Sequence, residues 1–534
     1  METAAREFVT RLEDQIVPAY RRMAETSWES ACTGTREAER AAAEAETAVR
    51  RIFSSREAMA EVRRYRDSGS VSDPLLAREF DLLYLSFLGN QVDPERLAEI
   101  VRRERAIETE FSTFRAETRG RRYTANDVAD VLRGSRDPVE RREVWEASKR
   151  IGPLLAKRIL ELVRLRNGVA RDLGFPNHYA MALELQEQSE TEILAIADQF
   201  KRLSEGPFRQ LRQAMDRKLA ERFSITPSEI RPWHMEDPFF QEPPAVGKVP
   251  LDPVYAGRDL VEITRQQYRG IGLPVDACIE RSDLFEREGK NPHAFCINID
   301  RLGDVRVLCN VRPTSRWMET LLHEYGHAAY DLYVDPELPF ILRAPAHTFT
   351  TEAVAILMGR QAREGAWLRS ALGPGATGVD GLEEAAGEEL RVGTLVATRW
   401  MLVVIRFERA MYADPDADLN CLWWDLVEEM QLLRRPDGRD APDWASKIHI
   451  ACYPVYYHNY LLGELFASQL RTVIERKCVG AKRGTMAGAP EVGTFLRGEI
   501  FRPGARWRWN RLVEKATGSP LGAESFVAQF VQGT

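Results

Sequence analysis

Two histidines with a glutamate beside the first are the residues in this sequence that most clearly indicate chemistry. In a chain with eight histidines, the pattern His323-Glu324-Tyr325-Gly326-His327 is expected by chance only about 0.01 times. Four residues are about one turn of an α-helix, so both imidazoles can reach a single metal ion. The spacing predicts a zinc site in which the two histidines are ligands and the glutamate is the general base beside the attacking water.

A catalytic zinc ion takes three protein ligands, so a third ligand must come from elsewhere. The segment from Thr348 to Met358 predicts a helix with a threonine N-cap, and it carries Glu352 in its first turn. The helix dipole alone also favours a glutamate there. Because 25 residues separate Glu352 from His327, one helix can end near Asp331 and a second can return beside it. We therefore predict that Glu352 completes the metal site.

A helix and a hairpin must position these residues. Thr314 or Ser315 is a suitable N-cap for an amphipathic helix that continues through the two histidines. Just upstream, Ala294 to Asp300 and Val305 to Val311 are rich in β-branched residues and flank a Gly-Asp turn, which predicts a β-hairpin. The hairpin is therefore expected beside the metal-binding helix.

Most of the remaining chain has apolar residues at three- and four-residue intervals, which is the period of amphipathic helices. No internal repeat or low-complexity linker marks a domain boundary, so we predict a mainly α fold in one large unit. Besides N-terminal helices, the pattern predicts helices at Asp137 to Leu173, Glu190 to Phe223, Leu260 to Gly270, Glu383 to Tyr412 and Val455 to Arg476.

The composition argues against several classes of protein. Hydrophobic residues at 44% and charged residues at 29% are typical of a globular protein, and a net charge of −7 argues against a nucleic-acid partner. The sequence shows neither a secretory h-region nor an apolar run that could span a bilayer, so we expect a cytoplasmic protein without a membrane partner. The seven scattered cysteines fit reduced thiols. Only Cys296 and Cys309, which flank the hairpin turn, are expected to approach each other, and their redox state stays open.

With these residues in place, the chain resembles the gluzincins, zinc peptidases that combine His-Glu-x-x-His with a glutamate ligand. It resembles specifically the peptidyl-dipeptidase family of angiotensin-converting enzyme, and the thimet-type oligopeptidases are similar in pattern. The resemblance implies one metallopeptidase domain over 1–534 with a deep central cleft and one zinc ion per chain. It further implies a lid of N-terminal helices within 1–120, a zinc-binding core at 290–360 and a region at 440–475 that binds the substrate and the transition state.

The resemblance also assigns residues that bind the substrate. His293-Ala294 precedes the hairpin, as the family's His-Ala pair does on the strand that hydrogen-bonds the substrate backbone. An edge strand offers unpaired backbone groups, so a peptide can add to it as a further strand. His347, in the loop before the second predicted helix, is a further candidate for lining the pocket.

Two more motifs of this family lie near the C-terminal end of the chain. Lys447-Ile-His449 and Tyr457-His-Asn-Tyr460 are similar to the family's Lys-x-His and Tyr-x-x-Tyr elements. By this resemblance, Lys447 and Tyr457 bind the C-terminal carboxylate of the substrate. His449 and Tyr460 would then donate hydrogen bonds to the developing oxyanion.

The sequence departs from the family at three points. The interval from His449 to Tyr457 is one residue longer, so Tyr456 is an alternative for the first tyrosine. Asn459 replaces the arginine that is linked to chloride activation, so chloride dependence is not expected. Ile356 replaces an acidic residue four positions after the third ligand, so other groups must orient the histidines.

Together these features predict hydrolysis of peptide bonds in short peptides, by a dipeptidyl carboxypeptidase or an oligopeptidase. Two alternatives remain open. The protein could be a zinc amide hydrolase that acts on a specialised small molecule or a biosynthetic intermediate, or it could be an inactive pseudo-enzyme that binds peptides. The sequence leaves the natural substrate, the cleavage position and the oligomeric state open.

Overall fold

The computed structural model describes residues 1–244, 251–372, 382–480 and 485–531. The described chain is mainly helical, and its strands form two antiparallel sheets of two strands each, which confirms the predicted mainly α class. In chain order the helices and strands are α1 (Glu2–Thr33), α2 (Arg36–Phe53), α3 (Arg56–Asp67), α4 (Pro74–Gly89), α5 (Pro94–Thr113), β1 (Ala116–Thr118), β2 (Arg121–Tyr123), α6 (Ala125–Gly134), α7 (Pro138–Lys149), α8 (Ile151–Asp172), α9 (His178–Leu185), α10 (Glu190–Phe223), α11 (Asp252–Tyr255), α12 (Leu260–Gly270), α13 (Asp276–Arg281), β3 (Phe295–Asn298), β4 (Val305–Leu308), α14 (Ser315–Leu332), α15 (Thr348–Arg360), α16 (Gly365–Leu372), α17 (Leu382–Ala413), α18 (Leu419–Gln431), α19 (Ile448–Cys452), α20 (Tyr457–Ile474), α21 (Pro490–Leu496), α22 (Trp509–Thr517) and α23 (Glu524–Phe530). Short 3₁₀ or π turns lie at Pro227–Glu229, Pro232–His234, Phe340–Leu342, Gln361–Arg363, Asp443–Ser446, Glu475–Val479, Arg497–Phe501 and Gly504–Arg506. No helix in the described ranges is long and apolar enough to cross a membrane.

The chain divides into two compact units, each assembled from separate stretches of sequence. The first unit comprises Met1–Gln91, Val249–Gly387 and Leu462–Ser525, and the second comprises Val92–Lys248, Glu388–Leu461 and Phe526–Thr534. The predicted regions 1–120 and 440–475 each contribute to both units, whereas 290–360 lies wholly in the first. The single metallopeptidase domain and the lid stay predictions.

The helices predicted from periodicity are observed, with differences at their ends. The predicted helix from Asp137 to Leu173 is two helices, α7 and α8. Pro153 explains the break, because it has no N–H to donate and its ring would clash with the carbonyl four residues earlier. Helix α20 begins at Tyr457 and not at Val455, since Val455 has a φ of 54° and donates its N–H to the buried carboxyl of Glu408.

In the first unit, β3 and β4 form the hairpin that the sequence predicts, with Cys296 opposite Val307. Both strands are shorter than predicted. The turn begins at Ile299, whose N–H donates to the carbonyl of Asp304 at 2.8 Å. Beyond β4, the N–H of Cys309 donates to the carbonyl of Asp283 instead of to β3. All seven cysteines are free thiols, so the structure has no bond between Cys296 and Cys309.

Helices α14 and α15 pack against each other unusually closely, and this packing builds the core of the first unit. A Cβ atom added to Gly326 of α14 would lie 2.8 Å from the Cα of Ala355 on α15. A Cβ atom added to Gly359 of α15 would lie 3.4 Å from the Cβ of His323 on α14. Glycine at these two positions therefore allows the helix that carries the histidines to approach the helix that carries Glu352.

Candidate metal centre and substrate cleft

The N-caps of α14 and α15 fix where the predicted ligands lie. Thr314 caps α14 as predicted, and its side chain accepts a hydrogen bond from the N–H of Trp317. The threonine N-cap predicted for α15 is wrong, because His347 caps this helix and accepts from the N–H of Phe349 through Nδ1 at 3.1 Å. Glu352 consequently lies in the second turn and not in the first. A favourable interaction with the helix dipole, which falls off within the first turn, therefore explains its presence less well.

The side chains of His323, His327 and Glu352 converge on one point, as predicted for metal ligands. The Nε2 atoms of His323 and His327 are 3.2 Å apart. Glu352 Oε2 lies 3.7 Å from His323 Nε2 and 3.9 Å from His327 Nε2. Within the described ranges, this is the one group of three or more His, Cys, Asp or Glu side chains whose ligand atoms are close enough to hold a metal ion. All three residues belong to the first unit.

The donor set fits zinc. Ligand atoms about 2.1 Å from a tetrahedral zinc ion are about 3.4 Å apart, which is close to the separations of the three ligand atoms. Burial lowers the pKa of His323 to about 4, and burial together with His323 holds the pKa of His327 well below its ordinary value. Both imidazoles are therefore held in the neutral form that a metal requires.

A hydroxyl orients one of the histidines. Thr351 Oγ1 lies 2.7 Å from His327 Nδ1, so it can hold the ring with Nε2 directed at the other ligands. Because Ile356 stands where the resembled family has an acidic residue, another group was expected to orient the histidines. For His327 this group is Thr351, the residue that precedes Glu352. The sequence reasoning missed Thr351 because helical periodicity alone does not show which side chain of α15 reaches α14.

Glu324, the predicted base, is buried at 8% exposure beside the ligands. Burial, and to a smaller extent the charge of Glu352, raises the pKa of Glu324 to about 8. Burial and Glu464 raise the pKa of Glu352 to about 7. A divalent cation at this point would lower both pKa values and stabilise the charged form of both carboxylates.

The ligands and Glu324 line a cavity of about 560 Å³ in the first unit. One wall is strand β3, since every residue of β3 and the preceding Ala294 lines the cavity, while His293 is exposed just before it. The O–H of Tyr20 on α1 donates to the carbonyl of Asn298 at 3.1 Å. The cavity is lined by Tyr20, Ala294, Phe295, Cys296, Ile297, Asn298, Arg301, His323, Glu324, His327, Asp331, Arg343, Ala344, Pro345, Thr348, Thr351 and Glu352.

In the second unit, Lys447 lies in a buried polar cluster. Its Nζ donates to Gln241 Oε1 at 2.8 Å, and Gln241 Nε2 donates to Asp237 at 2.9 Å. The ammonium also lies 5.3 Å from the ring centroid of Phe239 and 5.5 Å from that of Trp400. Burial lowers the pKa of Lys447. The sequence reasoning missed Gln241, which lies in a proline-rich loop without periodicity.

Tyr457 contacts this cluster through Trp400, and it also lies beside His449 and Tyr460. Tyr457 is buried, and its hydroxyl accepts a hydrogen bond from Trp400 Nε1 at 3.3 Å. The ring centroid of Tyr457 lies 5.3 Å from that of His449 and 5.5 Å from that of Tyr460. Tyr456 is half-buried, with its ring 5.1 Å from that of Tyr460. Burial, and then Lys447, lowers the pKa of His449 to about 4, which keeps this imidazole neutral.

Asn459 occupies the position where the resembled family has an arginine. Its amide is fully buried, and Nδ2 donates to Gln186 Oε1 at 2.8 Å while Oδ1 accepts from Gln188 Nε2 at 3.1 Å. These amide groups satisfy each other without an ion.

Comparison with protein families covers both ends of the chain. Residues 1–230 match the family described as angiotensin-converting enzyme, and residues 279–531 match the family described as peptidase family M3. The second match contains the three residues whose ligand atoms converge. The chain is a gluzincin metallopeptidase. No curated protein matches this metallopeptidase over its sequence.

Each of the two families therefore matches a different part of this metallopeptidase. Peptidase family M3 matches the part that carries the His-Glu-x-x-His helix and the hairpin. The same match includes the residues of the second unit from Glu388 to Leu461. Both families act on peptides, so the metallopeptidase acts on peptides.

Proposed function

We propose that this metallopeptidase hydrolyses short peptides with one zinc ion per chain, held by His323, His327 and Glu352. The convergence of these three side chains beside the buried Glu324, in a cavity with a strand along one wall, carries the proposal. Bound zinc would supply Lewis acidity to the scissile carbonyl and to a water molecule. Glu324 would take a proton from the attacking water and pass it to the leaving nitrogen.

The edge of β3 that does not pair with β4 is the proposed site for the substrate backbone. Among the described residues, β4 is the strand that pairs with β3, and the β3 residues line the cavity that contains the metal ligands. A peptide in this cavity can add to β3 as a further strand, with its main-chain N–H and C=O groups paired. Ala294 would contribute to this backbone pairing and His293 to the entrance, while His347 supports the site as the N-cap of α15.

Lys447 and Tyr457 are proposed to bind the C-terminal carboxylate of the substrate, which would make the protein a dipeptidyl carboxypeptidase. Two observations support this role. The Lys447 ammonium makes its described hydrogen bond to a neutral amide, and Tyr457 belongs to the same aromatic cluster through Trp400. The contact with Trp400 favours Tyr457 over Tyr456 for this role. Without the anchor, the protein would act as an oligopeptidase.

His449 and Tyr460 are proposed to donate hydrogen bonds to the oxyanion. A buried neutral imidazole and a tyrosine hydroxyl are both suitable donors in a cleft with little water. In the described chain, Nδ1 of His449 is buried without a hydrogen-bond partner, so the ring is oriented by its aromatic neighbours Tyr453 and Tyr457.

We also propose that the protein works in the cytoplasm. The seven free cysteines support this location, because a reducing compartment keeps thiols unpaired. Fractionation of cells that express the tagged full-length chain tests it, and recovery outside the cytoplasm would contradict it.

A mixture of short peptides, analysed by mass spectrometry before and after dialysis against a chelator, tests the proposed function. We expect cleavage that stops on dialysis and returns with added Zn²⁺. Cleavage that survives the complete removal of metal, or no cleavage of any peptide by the zinc-loaded protein, would contradict it.

A further inference from the structure

Two arginines line the metal cavity without a carboxylate partner. Arg301 Nη1 donates to the carbonyl of Phe340 at 3.1 Å, and Arg343 Nε donates to the carbonyl of Leu338 at 2.5 Å. Within the described chain, no carboxylate oxygen lies within 4.0 Å of either guanidinium. Both guanidiniums therefore donate to carbonyls of the segment from Leu338 to Phe340, and both arginines line the cavity.

Arg301 is held in a fixed position before any ligand arrives. It lies in the hairpin turn with a φ of 56°, and its N–H donates to Asn298 Oδ1 at 2.8 Å. Its guanidinium lies 4.5 Å from the ring centroid of Tyr20 and 4.6 Å from that of Phe340. A guanidinium fixed between two aromatic rings loses little further freedom when it binds an anion.

The acidic groups near these arginines leave part of their charge uncompensated. Asp331 acts electrostatically on Arg301, but burial raises the pKa of Asp331 to about 6, so its negative charge is only partly present near neutral pH. Glu13 acts electrostatically on Arg343, but burial raises the pKa of Glu13 and so disfavours its charged form. The other two acidic residues that line the cavity are Glu324 and Glu352, and a divalent metal bound at the ligands would offset their negative charges.

We propose that Arg301 and Arg343 form an anion-binding subsite that selects peptides with an aspartate or glutamate side chain. The inference rests on the proposed peptide binding in this cavity and adds the class of substrate. Each guanidinium keeps N–H groups for a carboxylate, and charge-assisted hydrogen bonds from arginine to a carboxylate are both strong and directional. A peptide with a neutral amide at that position leaves the guanidiniums without a charged partner.

Binding of fluorescent peptides to the zinc-loaded Glu324→Gln variant tests the subsite without turnover. The peptides form pairs that differ by Glu or Gln at one position, scanned along the chain, and each pair is made with a free and with an amidated C-terminus. The amidated series separates a side-chain carboxylate from a terminal one. We expect the Glu peptide to bind about ten-fold more tightly at one position in both series.

Arginine variants in the same background identify the residues responsible. Arg343→Gln and Arg301→Gln are each expected to remove most of the preference for Glu, and Arg343→Glu to favour a Lys peptide instead. Arg312→Gln is the matched control, because Arg312 is exposed, paired with Glu286 and outside the cavity. Zinc content and melting temperature show that each variant is folded, and Arg301→Lys retains the charge if Arg301→Gln does not fold.

Two outcomes overturn the subsite: equal binding of Glu and Gln peptides at every position, or a preference that survives both Arg343→Gln and Arg301→Gln. Peptide hydrolysis by the parent protein is measured separately. Loss of the proposed function would appear there as no cleavage of any peptide, while the binding preference still decides the subsite.

Discussion

Thr351 Oγ1 lies 2.7 Å from His327 Nδ1, and Thr351 is the residue immediately before Glu352 in α15. One turn of this helix therefore supplies both a predicted ligand and the group that orients another ligand. The arrangement makes the geometry of the metal centre depend on the packing of α15 against α14, and it gives the hydroxyl a role that can be measured.

Replacing Thr351 with valine is expected to weaken zinc binding by about 10- to 100-fold, because the imidazole of His327 loses the partner that fixes its orientation. Competition with a chelator of known affinity measures the change. Thr351→Ser retains the hydroxyl and should bind zinc nearly as the parent does. Equal affinity in the valine variant would show that Thr351 does not orient the ligand.

Replacing Gly326 with alanine should destabilise the protein by about 1–3 kcal/mol, because the added methyl group would lie 2.8 Å from the Cα of Ala355. The helix propensity of alanine offsets only part of this loss. Gly393→Ala in α17 is the control, since nothing lies within 4 Å of the added atom, and it should be neutral or stabilising. Melting temperatures of the three proteins decide the matter, and a Gly326→Ala variant as stable as the parent would argue against close helix packing.

Peptidase activity should not depend on chloride, because the buried amide of Asn459 is satisfied by Gln186 and Gln188. We expect kcat/KM to stay unchanged when sulfate replaces chloride at matched ionic strength. A marked loss of activity in the chloride-free buffer would mean that an anion site lies elsewhere in the protein.

Substitution of Lys447 by methionine tests the carboxylate anchor. The variant should lose about ten-fold or more in kcat/KM for peptides with a free C-terminus and little for their amides, because only the free acids pair with the ammonium. Tyr457→Phe should act in the same direction, and Tyr456→Phe is its matched control. If the parent cleaves acids and amides at equal rates, the protein has no such anchor and is an oligopeptidase.

The fold was predictable where periodicity is regular and the caps are clear. Helices α10 and α12 have the predicted ends, and α14 begins after the predicted N-cap Thr314. The misplaced ends have local causes that periodicity does not reveal. Pro153 interrupts one predicted helix, and Val455 takes a left-handed conformation that the carboxyl of Glu408 stabilises from a distant part of the sequence.

The convergence of the three predicted ligands could be inferred from the sequence because they lie in two short segments. His323 and His327 share one helical turn, and the close packing of α14 against α15 brings Glu352 of the next helix to them. Thr351, Gln241, Arg301 and Arg343 could not be assigned in this way. Thr351, Gln241 and Arg301 act through contacts with residues far away in the sequence, and the position of Arg343 in the cavity wall likewise depends on tertiary packing.

Glu324→Gln, compared with the parent for both zinc content and peptide hydrolysis, tests the central claim most directly. We expect both proteins to bind one zinc ion per chain, because Glu324 is not a ligand. The variant should hydrolyse a mixed set of short peptides more slowly by about two to four orders of magnitude, because the base is lost. Hydrolysis by the variant at the parent's rate, or the absence of bound zinc from both proteins, would contradict the assignment of His323, His327, Glu352 and Glu324.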